Sequence, residues 1–582
     1  MNEKVERLNS YLKNYMALGQ QNLLAEQRQL AQQLKELLAV DQLNLNYFLA
    51  LYRSFVTRGE SSSGRLVISD KDRPANHQSE ITLYPTAICT QAQLEELPIT
   101  QYQSLKDAAN YSGATDVLLW VKKMQAGTGS SVIRDRYLAQ QRQTTVEQVV
   151  IGAKGTDLDI EHPCGGWISL AEVQILQGIA DLKNGVVGEV VLHDIVSSQT
   201  ASAVDTLWQN DVAASKPSIS YDQFFSQHLG LQRFTKTTQH PLPTVDRQER
   251  MSFERVAPGG HALFGLDALI AAYRQDLRPK RKSGQVLIGS IGNGEDLGSS
   301  PDGLIVSWMA REQIPVVMVT TTKSEIDLKG GQLAVVPGKI PYITMLEKAQ
   351  AESSDQVALF EQLGLRPGDR AAFFNTNMVL INYNVFTPLV EQLLEQVGEE
   401  QLLTIATPDL ILNVKQQLDS SGQKQQFTQL EGAMGSLFLN LDRYWRQHYH
   451  KPLIHFLNIG GQDRTQFFSP IKTAFDYFVQ TRSDRFSLCD QTFRLINHNC
   501  DYLPQVALED SYYKSVTNVL AAFENCSILE LKSLHISGKV DCSGIALKGA
   551  VSIINSSDQL VCLKDYLPQG CLVVEDKTVI CS

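Results

Sequence analysis

Between about residue 112 and residue 400, short apolar runs alternate with stretches of helical periodicity. The runs have the length of buried strands and occupy residues 117–121, 189–192, 285–289 and 315–319. Helical patterns lie between them at 171–182 and 263–273. This alternation predicts an α/β fold with a mostly parallel sheet covered by helices on both faces. In such sheets ligands bind beyond the carboxyl ends of the strands, so candidate chemistry is expected in the loops that follow the runs.

Leucines recur at helical spacing among glutamine and glutamate residues in the first part of the chain, up to about residue 60. The leucines that set this spacing are Leu23, Leu30, Leu34, Leu37 and Leu38. The spacing predicts an amphipathic helix packed on the main body. A partner-binding coiled coil is the alternative, but only about two heptads keep their register, fewer than a coiled coil needs.

The last segment changes to very short strands interrupted by glycine. Apolar positions between Leu534 and Ile553 are separated by Gly538, Gly544 and Gly549. Short strands with this regular punctuation are typical of the coils of a parallel β-helix. We therefore expect three regions, namely a helical N-terminal region at 1–111, an α/β domain at 112–490, and a helix followed by a β-helix domain at 491–582.

Composition restricts the classes of function. With 43% hydrophobic and 20% charged residues, this chain of 582 residues has the make-up of a folded protein with several domains. The 52 Lys and Arg residues are outnumbered by 63 Asp and Glu residues, which argues against a general binder of nucleic acid or membranes. The nine cysteines include no Cys-x-x-Cys pair, so they predict neither zinc nor an oxidising compartment. Without a secretory signal pattern or a long apolar run, a cytoplasmic location is expected, in the protein's own cell or in a host cytosol.

Two glycine loops follow the first apolar run. In the segment 124–130, Gly127 and Gly129 let the backbone approach a phosphate, and the amides of such a loop stabilise its charge. Lys154 stands in the second loop, two residues after Gly152. Neither loop has the spacing of a P-loop or a dinucleotide-binding motif. The glycines alone therefore predict no more than a phosphate-binding turn.

Four further segments carry polar residues beside predicted strands. They are Pro-Gly-Gly-His at 258–261, Asn-Gly-Glu-Asp-Leu-Gly at 293–298, Asp-Leu-Lys-Gly-Gly at 327–331 and Phe-Asn-Thr-Asn at 374–377. In this order, and with both glycine loops, they resemble the UTP–glucose-1-phosphate uridylyltransferase (UDP-sugar pyrophosphorylase) family, whose motifs read LxGGxGT, GPK, PPGHG, NxDNLGAxxD, DxKGG and FNTN. The resemblance implies a glycosyltransferase-A-like nucleotidyltransferase domain at 112–490, in which the mostly parallel sheet is mixed. The tail at 534–551 resembles the family's C-terminal left-handed β-helix.

The resemblance implies nucleotidyl transfer to a sugar 1-phosphate. A phosphate oxygen of this substrate attacks the α-phosphorus of UTP with the help of Mg²⁺, pyrophosphate leaves, and a UDP-sugar forms, UDP-glucose being the first expectation. Lys154 is then expected to neutralise the pyrophosphate, and Lys329 the sugar phosphate and the α-phosphate. The resemblance also implies that the nucleotide contacts Gly127, Gly129, Gly259, Gly260 and His261, the last three of which line the uracil pocket. Asn293 is expected to bind substrate, and Asn375 and Asn377 are expected to hold sugar hydroxyls. The metal is expected at Glu295 or Asp296.

The chain departs from the family pattern in its phosphate loops. Gln125 and Ala126 stand where the family usually has another small residue and a second glycine. About 25 residues separate this loop from Lys154, more than in the family, so an insertion rich in Arg and Gln lies between them. Arg134 or Arg136 in this insertion could share the neutralisation of phosphate. A reshaped cleft leaves open another acceptor, an N-acetylhexosamine 1-phosphate or a protein side chain. A catalytically weak scaffold protein, with partners or a second copy bound through the N-terminal helices or the β-helix, is the remaining alternative.

Overall fold

The computed structural model describes residues 41–57, 65–68, 80–95, 97–108, 111, 113–129, 131–212, 218–234, 236–245, 251–327, 330–418, 424–499 and 503–581. The leucine pattern at 23–38 and the predicted catalytic residue Lys329 lie outside these residues. The first described helix, Gln42–Thr57, buries Leu45, Phe48 and Leu51 against the main body. This part of the N-terminal region is therefore packed on the fold.

Strands and helices are numbered in chain order over the described residues. The strands are β1 (Arg65–Ile68), β2 (Glu80–Pro85), β3 (Ile99–Gln101), β4 (Ala114–Met124), β5 (Asp159–Glu161), β6 (Trp167–Ser169), β7 (Val187–Val196), β8 (Leu231–Arg233), β9 (Thr237–Thr238), β10 (Leu242–Val245), β11 (Met251–Ala257), β12 (Val286–Asn293), β13 (Val316–Thr322), β14 (Gln332–Val336), β15 (Tyr342–Leu346), β16 (Phe373–Asn382), β17 (Leu410–Leu418), β18 (Lys424–Gly432), β19 (Ile454–Ile459), β20 (Phe486–Leu488), β21 (Leu495–Asn497), β22 (Gln505–Leu508), β23 (Leu531–Ser537), β24 (Val540–Asp541), β25 (Ala546–Asn555), β26 (Val561–Cys562), β27 (Val573–Glu575) and β28 (Thr578–Cys581). The helices are α1 (Gln42–Thr57), α2 (Gln91–Glu95), α3 (Tyr102–Asp107), α4 (Asp135–Gln141), α5 (Lys154–Asp157), α6 (Leu170–Lys183), α7 (Ala201–Gln209), α8 (Tyr221–Gln227), α9 (Ala262–Tyr273), α10 (Gly303–Arg311), α11 (Lys348–Ser353), α12 (Val357–Gln362), α13 (Tyr383–Val397), α14 (Glu399–Ile405), α15 (Met434–Tyr449), α16 (Arg464–Phe467), α17 (Ala474–Thr481) and α18 (Val516–Ala522). None of these helices is both long and apolar enough to cross a membrane.

A large mixed sheet forms the centre of the molecule. Its strands lie side by side in the order β8, β7, β4, β12, β16, β13, β19 and β3. All of these neighbours are parallel except at β16, which runs antiparallel to β12 on one side and to β13 on the other. A branch of β14, β15, β2 and β1 extends from the beginning of β16. The predicted mixed, mostly parallel α/β sheet is thereby confirmed.

Both faces of the sheet are buried, as the side chains of β4 show. Val117, Leu119 and Val121 enter one hydrophobic core, whereas Leu118 and Trp120 enter the other. Successive side chains of a strand point to opposite faces, so a continuous apolar run requires cover on both sides. Helices α6 and α10 cover the first face, and α9, α13 and α15 cover the second. A smaller antiparallel sheet of β11, β10, β18 and β17 adjoins α9.

Parallel strands stack upon one another at the C-terminal end. β22, β23, β25 and β28 pair in this order, and β24 pairs with β26. Ile536, Ile553 and Val579 stand opposite one another in successive strands and are buried, so they form an apolar ladder inside the stack. Phe523 contacts Phe478 of α17 with ring centroids 5.3 Å apart, which joins the stack to the central domain.

The insertion that precedes Lys154 is folded and reaches the C-terminal region. The Ile133 N–H donates to the Lys514 carbonyl at 3.0 Å, and the Val516 N–H donates to the Ile133 carbonyl at 2.8 Å. On α4, the Tyr137 hydroxyl lies 3.0 Å from the Tyr477 hydroxyl of α17. The insertion therefore connects the first glycine loop to α17 and to the region of α18.

Candidate active site

The carboxyl edge of the central sheet brings together segments that are far apart in the sequence. β4 ends at Met124 and β12 ends at Asn293, and these residues are partners across the parallel pair. Because β16 runs in the opposite direction, it begins at this edge, with Asn375 near its start. The loop after β4, the loop at 294–298 and the asparagines of β16 therefore share the end of the sheet at which ligands bind in α/β folds.

Lys154 begins the short helix α5 and lies across the first glycine loop. A Cβ atom at Gly129 would come within 2.5 Å of the Lys154 Cδ, and the φ of Gly129 is +61°, so only glycine fits here. The Lys154 ammonium lies 3.0 Å from Glu295 Oε1 and donates to the Ile471 carbonyl at 2.7 Å. The structure thus brings the predicted lysine, the glycine loop and the carboxylate loop into direct contact.

Glu295 is the carboxylate that faces the cleft. Its side chain is 21% exposed, although it stands among protein groups. Burial alone would raise the pKa of Glu295, but the ammonium groups of Lys154 and Lys472 more than offset it, so its pKa lies below the ordinary value. Glu295 is therefore an anion at neutral pH and presents oxygen atoms of the kind that Mg²⁺ binds.

Asp296 and Asn293 form the buried framework of the same loop. Asp296 Oδ1 accepts hydrogen bonds from the N–H groups of Gly298 at 2.9 Å and Ser469 at 2.8 Å. Burial raises the pKa of Asp296 to about 6. The Gln174 amide of α6 donates to the main-chain carbonyls of residues 293, 294 and 296 at 3.0 to 3.3 Å. Both predicted residues therefore shape the loop from inside.

The Gly259–Gly260 turn precedes α9, with the predicted His261 at the N-cap of that helix. Gly260 has a φ of +82°, and its carbonyl accepts a hydrogen bond from Gln239 Nε2 at 2.9 Å. His261 is exposed, and the charges of Glu295 and the neighbouring lysines act on its ring. The turn therefore borders the same cleft as the carboxylate loop.

Gly331, at the end of the segment 327–331, lies against the segment 374–377. The Asn375 N–H donates to the Gly331 carbonyl at 2.8 Å, and the Asn375 side-chain amide donates to Asn377 Oδ1 at 3.0 Å. Asp327 is held in a two-pronged ion pair by Arg464, with both N–O distances 2.7 Å. Asp327 is thus fixed in place two residues before Lys329, which lies outside the described residues.

Two charged residues at this edge were not found from the sequence. Lys472 is exposed directly before α17, and its charge helps to lower the pKa of Glu295. Glu347 lies against Gly331, since a Cβ atom at Gly331 would be 2.6 Å from the Glu347 Oε1. Burial, with a further contribution from Asp409, raises the pKa of Glu347 to about 7. No local motif identifies either residue, because each is defined by contacts with distant segments.

The expectation that Arg134 neutralises phosphate is wrong. Its side chain is buried, and its guanidinium donates to Asp157 Oδ2 at 2.8 Å, to the Thr128 carbonyl at 2.6 Å and to the Gly152 carbonyl at 2.9 Å. These bonds fasten the two glycine loops to each other. Arg136 is exposed on α4. Arg134 is therefore a structural clamp behind the loops.

An Arg134→Lys variant is expected to lower the free energy of unfolding by about 1–3 kcal/mol. A single ammonium cannot reach the carboxylate and both loop carbonyls together, so buried acceptors lose their donors. Urea denaturation followed by circular dichroism measures the change. Arg136→Lys, an exposed substitution on the same insertion, is the matched control and should stay within about 0.5 kcal/mol of the wild type. Equal stability of Arg134→Lys and the wild type would contradict the clamp.

Comparison with known protein sequences agrees with this geometry. A model of the UTP–glucose-1-phosphate uridylyltransferase family matches residues 182–548. The chain is 26% identical over 287 residues to the UTP–glucose-1-phosphate uridylyltransferase of Solanum tuberosum, covering 49% of this chain and 51% of that protein. It is 28% identical over 270 residues to UTP–glucose-1-phosphate uridylyltransferase 2 of Dictyostelium discoideum, covering 45% of each. The alignments thus span about half the length of these relatives.

Similarity to solved structures extends over nearly the whole chain. The UDP-glucose pyrophosphorylase from Leishmania major, known in open and closed structures, has a TM-score of 0.62 at 20% identity and covers 95% of this chain and 98% of that one. The UDP-glucose phosphorylase from Trypanosoma brucei has a TM-score of 0.63 at 18% identity, with 94% and 98% covered. At this level of identity the likeness concerns the fold.

Proposed function

The chain belongs to the UTP–glucose-1-phosphate uridylyltransferase family, and we propose that it forms a UDP-sugar and pyrophosphate from UTP and a sugar 1-phosphate. The observation that carries this proposal is the meeting of Lys154, the glycine loop and Glu295 at the carboxyl edge of the sheet. Glucose 1-phosphate is the proposed sugar substrate, because the matched relatives are named for it. The resemblance inferred from the motifs is confirmed at the level of the family.

The reaction requires mainly that the two substrates are positioned and that their negative charge is neutralised. The attacking group is a phosphate oxygen that is already anionic, so no general base is required. We assign Lys154 to the leaving pyrophosphate, and Lys472 and Lys329 to the sugar phosphate and the α-phosphate. Gly127 leaves the loop backbone open to the phosphates, since a Cβ atom there would meet nothing within 4 Å, and Gly129 lets the Lys154 side chain lie against the same loop. Cations fixed around a developing charge are the largest contribution in reactions of this kind.

The contacts with the uracil and with the sugar are assigned to residues on the two sides of the cleft. We assign the uracil to the Gly259–Gly260 turn and His261, and the sugar hydroxyls to Asn375, Asn377 and Glu347. Asn293 supports the substrate loop through its backbone rather than through a solvent-facing side chain. A glutamate whose pKa lies near 7 can accept or donate a hydrogen bond to a hydroxyl group.

Glu295 is the proposed ligand of Mg²⁺, which would stabilise negative charge on the phosphates when bound. The residue fits this role because it is partly exposed and anionic, and Mg²⁺ commonly takes one or two carboxylates beside substrate phosphates. Within the described ranges, no three His, Cys, Asp or Glu side chains gather as a separate metal site. Asp296 has its Oδ1 occupied by backbone N–H groups, so we place it behind the metal site.

A Glu295→Gln variant is expected to raise the Mg²⁺ concentration for half-maximal pyrophosphate release by at least about tenfold. Even indirect changes around a metal commonly cost about 10–100-fold in affinity, and this change removes a direct ligand's charge. A Mg²⁺ titration of activity measures the effect. Glu530→Gln, which removes an exposed carboxylate paired with Lys548 in the C-terminal stack, is the control. An unchanged Mg²⁺ requirement would remove Glu295 from the metal site.

The C-terminal stack is proposed to be a left-handed parallel β-helix, supported by its parallel strands and its apolar ladder. The domain boundaries of 1–111, 112–490 and 491–582 and the cytoplasmic location are proposals. The expectation of a purely helical region at 1–111 is wrong, because β1, β2 and β3 of that region pair with the central sheet. Self-association through the stack or the N-terminal helices is likewise a proposal.

The proposed activity is tested by measuring pyrophosphate release from purified protein with Mg²⁺. Each nucleoside triphosphate is combined with glucose 1-phosphate, N-acetylhexosamine 1-phosphates and other sugar 1-phosphates. Release with UTP and one sugar 1-phosphate is the expected result. Release only with an N-acetylhexosamine 1-phosphate would select the other acceptor. No release with any pair would contradict the enzymatic function.

A further inference from the structure

One face of helix α1 is fastened to the turn that we assign to the uracil base. Asn44 and Tyr47 stand three residues apart on this helix, which places their side chains on one side of it. Both are buried. The N-terminal region therefore contributes polar side chains to the framework of the cleft, a role beyond packing.

Tyr47 holds the first peptide of the Gly259–Gly260 turn. Its hydroxyl donates to the Gly259 carbonyl, which also accepts the N–H of Gly432 at 3.0 Å. The ring fills the space that a side chain at Gly259 would need, because a Cβ atom there would lie 2.7 Å from Tyr47 Cε1. A Cβ atom at Gly432 would likewise lie 2.9 Å from the Tyr47 hydroxyl. Tyr47, with Leu242 at Gly259 and Pro408 at Gly432, therefore leaves no room for a side chain at either glycine.

Asn44 holds the neighbouring segment that supports the second peptide of the turn. Its side-chain amide donates to the Thr238 carbonyl at 2.9 Å, and its Oδ1 accepts the His240 N–H at 3.0 Å. Between these residues stands Gln239, whose side chain donates to the Gly260 carbonyl. Tyr47 acts on the turn directly, and Asn44 acts on it through Gln239.

Fixing a carbonyl also fixes the N–H of the same peptide. A trans peptide is planar and its C=O and N–H point in opposite directions, so the hold of Tyr47 on the Gly259 carbonyl turns the Gly260 N–H away from α1. Gly260 is half-buried, and the exposed His261 follows it. A backbone N–H in this place suits a carbonyl oxygen of a pyrimidine base.

We propose that Tyr47, assisted by Asn44, is a positioning residue that sets the Gly259–Gly260 backbone for recognition of the uracil base. The proposal rests on the assignment of UTP as the nucleotide substrate. It predicts that loss of the Tyr47 hydroxyl weakens the binding of UTP and leaves the sugar 1-phosphate side of the cleft unchanged.

The test compares Tyr47→Phe with Tyr52→Phe by calorimetric titration with UTP and with ATP. Tyr52 is buried on the same helix and is 5% exposed against 1% for Tyr47, so each variant loses the hydroxyl of a buried tyrosine ring. Tyr47→Phe is expected to raise the Kd for UTP about twofold to tenfold, the loss of one buried hydrogen bond. The expected KM for glucose 1-phosphate is that of the wild type, and Tyr52→Phe is expected to leave both constants unchanged. Melting temperatures of all three proteins separate a change of stability from a change of recognition.

The outcomes distinguish failure of the positioning role from failure of the proposed function. Wild-type affinity of Tyr47→Phe for UTP, or an equal loss of affinity for UTP and glucose 1-phosphate, would overturn the positioning role and leave the proposed function standing. Failure of the wild type to prefer UTP over ATP would overturn the assigned nucleotide and this inference together. Preferential UTP binding by a wild type that releases no pyrophosphate would contradict the activity, while the Kd of Tyr47→Phe would still decide the role of Tyr47.

Discussion

Replacing Lys154 by methionine is expected to lower kcat/KM for pyrophosphate release about 10²–10³-fold without unfolding the protein. The loss corresponds to about 2.7–4 kcal/mol of transition-state stabilisation, as when a charge-stabilising group is removed from an active site. Methionine keeps most of the apolar stem that lies against Gly129, so the first glycine loop retains its packing. Arg134 cannot substitute for the lost charge, because its guanidinium is bonded to the loops themselves.

The control for Lys154→Met is Lys282→Met, which removes an exposed lysine paired with Glu189 near the amino-terminal end of β7. It is expected to retain wild-type kcat/KM. Circular dichroism of both variants verifies the fold. A folded Lys154→Met protein with wild-type activity would show that contact with Glu295 does not place this lysine in the reaction.

Loss of Lys472 is expected to have a similarly large effect, a fall of about 10²-fold in kcat/KM for Lys472→Ala. The side chain is exposed, so its removal should change the free energy of unfolding by less than about 0.5 kcal/mol. Its neighbour Thr473 caps α17 in a reciprocal pair with Asp476, and this cap remains in the variant. The N-terminus of α17 adds a favourable field for a phosphate beside the lysine.

Lys472→Arg tests whether charge is the property that matters. It is expected to recover part of the activity lost in Lys472→Ala, because it restores the cation with a different shape. Lys329→Ala is measured in the same assay, and a loss of activity is expected there as well. Wild-type activity of Lys472→Ala would restrict the phosphate-neutralising lysines to Lys154 and Lys329.

The sheet could be predicted from sequence because its signal is local. The apolar run at 117–121 becomes the middle of β4, and the run at 315–319 becomes the first part of β13. Strand direction is not encoded in the same way, since a strand buried on both faces has one hydrophobic pattern in either orientation. The reversed direction of β16 could therefore be learned only from its pairing with β12 and β13.

The residues of the candidate site likewise differ in whether the local sequence identifies them. Gly129 and Gly260 adopt positive φ values, so glycine in these turns is a local requirement that the sequence displays. The role of Lys472 cannot be identified locally, because it depends on the cleft that also holds Lys154. Lys154 itself donates to a carbonyl 317 residues away in the sequence. The expectation for Arg134 is wrong for a related reason. The sequence alone does not show whether an arginine in a polar insertion faces phosphate or is buried behind a loop.

The antiparallel strand β16 also has a consequence for the order in which the protein is made. It lies between β12 and β13, yet its residues, 373–382, leave the ribosome after both of those strands. Until then β12 and β13 have no common neighbour, and the N–H and C=O groups on the edges that pair with β16 are left open to water or to other nascent chains. The cleft consequently cannot assemble while only the first half of the chain exists, and a gene divided before residue 373 would encode two fragments that each lack a completed sheet.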